Sequence, residues 1–145
     1  MDKEKKFYGE LEDLNLKTLI ALSRCTQNVH RREYKTIKEG GLTVSQFAVL
    51  EILYHKGDLR VCEITEKILS TAGNMTVVID NLIKQNLVKR TIDSNDRRVN
   101  LISLTEEGKK HIGGIFPKHL DNINEIFSVL TSEEKKDLVR LLKKL

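Results

Sequence analysis

The sequence predicts a mainly α-helical fold carrying one small antiparallel β element of two or three strands. Three observations carry that prediction. Long stretches repeat apolar residues three and four apart, the spacing of one helix face. A single proline interrupts the 145 residues. Only the segment after Asn86 changes to a period of two or to short β-branched runs. The length suits one compact domain, or one module with dimerisation helices, and is enough to bury a core.

The first helix is predicted over residues 7–39. Leu11, Leu14, Thr18, Leu22, Cys25 and Val29 share one of its faces, and Leu16, Leu19 and Ile20 add a second flank. That is more apolar surface than one neighbour covers, which predicts a partner subunit. Gly40-Gly41 ends the pattern, and Thr43 with Gln46 makes a capping box before Phe47, Leu50, Ile52, Leu53 and Tyr54. This second helix runs to about His55 and stops at Gly57. Val61, Ile64, Ile68 and Leu69 then predict a short amphipathic third helix ending near Ser70.

Thr71 is the expected N-cap of the fourth helix. In it Met75, Val78, Ile79 and Leu82 turn inward, while Asn74, Val77, Asn81 and Lys84 turn outward. Two short helices separated by residues 70–73 have the arrangement of a helix-turn-helix. Leu87, Val88 and Ile92, then Val99, Leu101, Ile102 and Leu104, predict a hairpin whose polar connection, residues 93–98, projects Arg97 and Arg98 as a wing. Thr105 caps a fifth helix reaching about Leu130, which Pro117 should kink. Thr131 and Glu134 form a second capping box that opens a last helix with Leu138, Leu141, Leu142 and Leu145. The predicted fold is thus a winged helix-turn-helix over residues 43–104, core module 58–104, with residues 7–39 and 105–145 as dimerisation helices.

Composition excludes some functions and permits others. The 39% apolar and 32% charged residues are those of a soluble globular protein. A net charge of +4 permits a polyanionic partner without requiring one. The N-terminal segment lacks the apolar stretch of a signal peptide and no run approaches a spanning helix, so a cytoplasmic location without membrane contact is expected. No phosphate loop, nucleophile elbow, HExxH motif or catalytic carboxylate pair is found, so no enzyme is expected. His30, His55, His111 and His119 lack i,i+4 pairing, and neither metal nor cofactor is predicted. Cys25 and Cys62 form no CxxC pair and are expected to be free thiols, either packed as small apolar residues or reactive.

Three stretches together resemble the MarR family of bacterial regulators over nearly the whole chain: VCEITEKILSTAGNMTVVIDNLIKQNLVKR, the wing-tip Asp96-Arg97-Arg98, and LISLTEEGKKH. The resemblance implies a cytoplasmic homodimer, interlocked through its N- and C-terminal helices, that regulates transcription as a repressor. Two-fold symmetry then demands a pseudo-palindromic duplex with half-sites about 34 Å apart.

The expected DNA-contacting residues are Thr71, Ala72, Gly73, Asn74, Thr76, Val77 and Lys84 in the major groove, with Asp96, Arg97 and Arg98 on the wing. The Asn74 amide suits bidentate pairing with adenine. Thr71 and Thr76 either contact phosphate or a thymine methyl, or serve capping and local bonding. Ala72 and Gly73 allow close backbone approach. Many family members place a basic residue where this chain has Val77, which here either packs on thymine methyls or is simply exposed. The resemblance implies that Arg98 enters the minor groove, oriented by Asp96, which favours A·T-rich sites. Arg97 is expected on phosphate, and Asp80 is expected to pair with Arg90. From Asp58 to Leu104, seven Lys and Arg face six Asp and Glu, a net of +1. Placement of Lys84, Lys89, Arg97 and Arg98, with Glu63 and Glu66 turned elsewhere, must therefore supply the basic face.

Family members commonly release DNA on binding a small aromatic or phenolic molecule, or on cysteine oxidation. For the first, Cys25, Val29, Phe47, Leu50, Tyr54, His111 and Ile115 are candidates to line a pocket between the first, second and fifth helices, and most of them equally suit the core. For the second, Cys25 lies near Arg24, Arg31 and Arg32, and Cys62 opens the third helix. A winged helix used for protein interaction is the alternative from another class.

Overall fold

The computed structural model describes residues 6–68 and 72–145. Among them run α1 (Glu10–Glu39), α2 (Val44–Lys56), α3 (Val61–Ile68), α4 (Ala72–Lys84), β1 (Val88–Ile92), β2 (Asn100–Leu104), α5 (Glu106–Ile126) and α6 (Ser132–Leu142). The expected N-cap Thr71, with Leu69 and Ser70, lies outside the described residues. None of the described helices is long and apolar enough to cross a membrane.

Helix boundaries follow local chemistry. Phe7 and Tyr8 precede α1, because Gly9 at φ +134° cannot be helical. Both capping boxes form: the Thr43 side chain accepts the Gln46 N–H at 3.2 Å, and Thr131 accepts that of Glu134 at 3.2 Å. Gly57, at φ +79°, turns the chain out of α2 in a conformation that a Cβ would oppose. Asn86 does the same after α4 at φ +57°, one of the few non-glycine residues that tolerates it.

α5 ends at Ile126 rather than near Leu130. Phe127 leaves the helix, and the Leu130 N–H closes a tight turn on the Phe127 carbonyl at 3.2 Å before Thr131 starts α6. Pro117 lies inside α5, which continues through it.

The core is formed where α2 to α5 meet the hairpin. Leu50, Ile64, Met75, Ile79, Leu82, Ile102 and Ile112 are fully buried there. The strands pair antiparallel with Val88 opposite Leu104 and Ile92 opposite Asn100. Leu59 adds a single bridge to Ile102, through N–H···O contacts of 3.2 and 2.8 Å, so the element is a two-stranded hairpin with the beginning of a third strand.

α1 joins the core through Ile37, which shares the apolar cluster of Ile112 and Ile115, and polar contacts tie it to α5 as well. His111 Nε2 donates to the Gly40 carbonyl at 2.9 Å, and Asn122 donates to the Arg32 carbonyl at 3.0 Å. His119 is buried with its Nε2 3.7 Å from a Glu33 carboxylate oxygen and its ring 4.6 Å from Phe47. The apolar side chains of the first half of α1 have no such cover among the described residues: Leu11, Leu14 and Leu19 are about 60% exposed. On α6, Leu138, Val139, Leu141 and Leu142 are exposed too.

Candidate nucleic-acid interface

α4 buries one face and presents the other. Met75, Ile79 and Leu82 carry the helix on the core, which leaves Gly73, Asn74, Thr76, Val77, Asp80, Asn81 and Lys84 exposed. The inward and outward sets are those expected from the 3.6-residue period. A Cβ added at Gly73 meets nothing within 4 Å, so the helix start is open to an approaching surface.

Asp80 is paired as expected. Arg90 Nη2 donates to Asp80 Oδ1 at 3.0 Å, joining the outer edge of α4 to β1. The same strand places Lys89 on the opposite face, because successive side chains alternate. Lys89 therefore lines a groove of about 470 Å³ behind the hairpin rather than joining the α4 side, which corrects the expected basic face. Lys84, Arg97 and Arg98 are exposed, and Glu63 is turned into the start of α3, where its carboxylate accepts the Arg60 N–H at 2.8 Å.

The wing tip is a small constructed unit. Asp93 accepts the Asn95 N–H at 2.8 Å, tightening the turn. Asp96 takes three hydrogen bonds from one residue: the Arg98 backbone N–H at 3.0 Å, Nε at 3.1 Å and Nη2 at 3.1 Å. The two side-chain contacts make a bidentate fork, the arrangement that fixes a guanidinium most firmly. The Arg98 side chain nonetheless stays 90% exposed.

These side-chain bonds, then the backbone one, hold the Asp96 carboxyl below its ordinary pKa, with a weaker contribution from the nearby Arg60 guanidinium. Asp96 in turn raises the pKa of Arg98. The proximity of Arg60 to the wing was missed in the sequence. It follows from the Leu59 to Ile102 bridge, a long-range pairing that no local pattern announces.

The candidate effector residues are divided between the core and the surface of the chain. Phe47, Leu50 and Ile115 belong to the core, where the Phe47 ring packs against His119, and His111 is occupied by the Gly40 carbonyl. Cys25 is exposed and Val29 half-buried on α1, outside that core. Of the expected set only Tyr54 lines the groove behind the hairpin, with Leu53, Asp58, Lys89, Ser103 and Lys109. Cys62 is also exposed, so neither thiol is packed within the chain as a small apolar residue. The reason for Cys25 is the one that exposes Leu14 and Leu22: among the described residues nothing covers that part of α1.

The MarR family profile matches residues 42–99. The chain is 39% identical over 134 residues to the HTH-type transcriptional regulator MhqR of Bacillus subtilis, covering 92% of each sequence. It is also similar to the crystal structure of a MepR-like protein complexed with pseudoligands, with 34% identity, TM-score 0.65 and coverage of 90% of this chain and 91% of that one. A mutant MarR from E. coli complexed with operator DNA superposes with TM-score 0.77 at 26% identity, over 92% of this chain and 94% of the other.

Proposed function

The chain belongs to the MarR family and is a DNA-binding transcriptional regulator, and from that premise we propose that it works as a homodimeric repressor of an A·T-rich, pseudo-palindromic operator. The observation that carries this is the joint presentation of an exposed α4 face and an exposed, carboxylate-oriented wing arginine from one packed unit. α4 lies in the major groove, with Asn74 and Val77 toward base edges and Gly73 against the backbone. Arg98 enters the adjacent minor groove, whose negative potential is strongest where A·T pairs narrow it. Arg97 and Lys84 contact phosphate. Thr76 lies beside the same surface, and Thr71 and Ala72 precede it in sequence.

Dimerisation is supported by the uncovered apolar residues of α1 and α6. A monomer rarely leaves so many large apolar side chains in water along two helices. The likeness to a MarR–operator complex supports the same arrangement.

Release of the operator is assigned to a small aromatic or phenolic effector in the groove between the end of α2, the back of the hairpin and the start of α5. Tyr54, Leu53 and Leu104 offer apolar contact there, and Lys89 offers a charge. A ligand in that groove presses on the hairpin that carries Arg98. The second reading, release by oxidation, is favoured by the exposure of Cys62, whereas Cys25 lies on the α1 face assigned to the dimer seam.

One experiment separates these. Binding to an operator recovered by genomic footprinting is measured before and after adding a panel of phenols, and before and after mild oxidation, for wild type and for Cys25→Ser and Cys62→Ser. Phenol-induced release that survives both serine substitutions supports the effector groove. Release by oxidant that either substitution abolishes supports the thiol. Absence of sequence-specific binding overturns the function itself.

A further inference from the structure

The outward face of α4 has an unusual chemistry for a helix that meets a polyanion. Between Ala72 and Ile83 it carries neither Lys nor Arg. A cation that another element brings to this face, Arg90, is engaged by Asp80 at 3.0 Å. In the middle of this face stands Val77, a large apolar side chain left 59% exposed. Burial in the core does not explain it, because Met75, Val78 and Ile79 already fill the inward positions. Valine is also a poorer helix former than the long polar residues that usually cover an exposed helical face. Neither packing nor helix propensity accounts for it.

The major groove offers one apolar feature, the C5-methyl of thymine. We propose that Val77 reads that methyl in one thymine of each half-site, and so sets the operator preference at that base pair. The inference rests on α4 occupying the major groove, and deepens that reading by naming the base and the atom recognised.

The geometry is consistent along the helix. Asn74 and Val77 are three residues apart, on one face and about 4.5 Å apart along the axis. This is close to the base-pair step of about 3.4 Å, so the two side chains address neighbouring pairs. An amide that suits adenine beside two methyl groups that suit thymine gives a helix that reads A·T pairs without a guanidinium. Guanine readout by the usual bidentate arginine has no donor on this stretch.

The test replaces each thymine of the operator duplex by uracil, one position at a time, which removes only the methyl. Binding of the full-length protein is measured for wild type and Val77→Ala. The site is exposed and alanine is the better helix former, so the variant keeps its fold. At one thymine per half-site, wild-type affinity should fall about fourfold, the value of one buried methyl-sized group. Val77→Ala should bind the unmodified operator correspondingly more weakly and be indifferent to uracil at that position. A wild-type protein indifferent to every thymine-to-uracil change overturns the inference, as does an equal loss in both proteins. Both of those outcomes leave operator binding standing, whereas failure of wild type to prefer its operator over unrelated duplex removes the underlying function as well.

Discussion

Removing the wing arginine is the most direct perturbation of the proposed interface. Asp93 and Asp96 balance Arg97 and Arg98, so the wing tip as a whole is neutral. Whatever Arg98 contributes comes from where Asp96 holds it. In Arg98→Ala each protomer loses one cation from the duplex, and a dimer loses two. With a slope of about 0.9 in log affinity against log salt per neutralised phosphate, the dimer's salt dependence should flatten by about 1.8. Between about 50 and about 200 mM salt, the ratio of wild-type to variant affinity should then change about twelvefold. Fluorescence anisotropy on a labelled operator, repeated across that range, reads the slope directly. The companion Asp96→Asn keeps the Arg98 charge but loses the carboxylate that forks it. Its slope should be no shallower than wild type, while its preference for operator over unrelated duplex falls. An Arg98→Ala slope equal to that of wild type refutes the minor-groove assignment, and an unchanged preference in Asp96→Asn refutes the orienting role.

Two further predictions concern the wing and its base. Because Arg98 lowers the pKa of Asp96, their contact is fully formed above the ordinary carboxylate pKa and is lost only as pH falls through the lowered value. Carboxyl-carbon NMR should therefore give Asp96 a midpoint below that of an ordinary aspartate in wild type, moving up toward the ordinary value in Arg98→Ala; identical midpoints in the two proteins contradict the pairing. At the hairpin base, a Cβ at Gly108 would overlap the Leu87 carbonyl oxygen and lie 2.9 Å from its carbon. Overpacking costs about 1–3 kcal/mol, and alanine recovers at most about 1 kcal/mol in helix propensity. Gly108→Ala should thus lower the melting temperature, and a melting temperature at or above wild type would show that α5 moves away freely.

What could be seen in the sequence was what short spacings decide. Thr43 with Gln46, Thr105 with Gly108, and Thr131 with Glu134 are local caps, set by the geometry of a first helical turn wherever the helix lies. Asp96 with Arg98 is likewise local. Asp80 with Arg90 spans ten positions, but both sit on elements whose faces the hydrophobic period had already oriented. The polar ties between α1 and α5 were another matter. His119 reaches Thr36 and Glu33, and His111 reaches Gly40, across more than seventy positions. In the sequence these histidines are isolated, and only the packing of two helices brings their partners to them. The candidate effector residues show the same limit. Periodicity placed Phe47, Leu50 and Ile115 on inward faces, but an inward face fills with core as readily as it lines a cavity. Cys25 shows the converse limit: an apolar stripe announces that something covers it, and says nothing about whether that is the same chain or another.

The closure of the hairpin has a consequence beyond stability. The Thr105 N–H donates to the Leu87 carbonyl at 3.1 Å, and its hydroxyl donates to the Asn86 carbonyl at 2.6 Å while accepting the Gly108 N–H at 2.9 Å. Both ends of the wing are therefore fastened at one point, before and after the tip residues proposed to meet DNA. A loop with fixed ends can change in length at little cost, about 0.6 kcal/mol for each doubling. The tip can accordingly be lengthened, shortened or recharged without disturbing α4, α5 or the core between them. Such an arrangement separates what must be kept from what is free to vary: if the wing meets the operator as proposed, one scaffold can be retargeted by exchanging the few residues beyond the clasp.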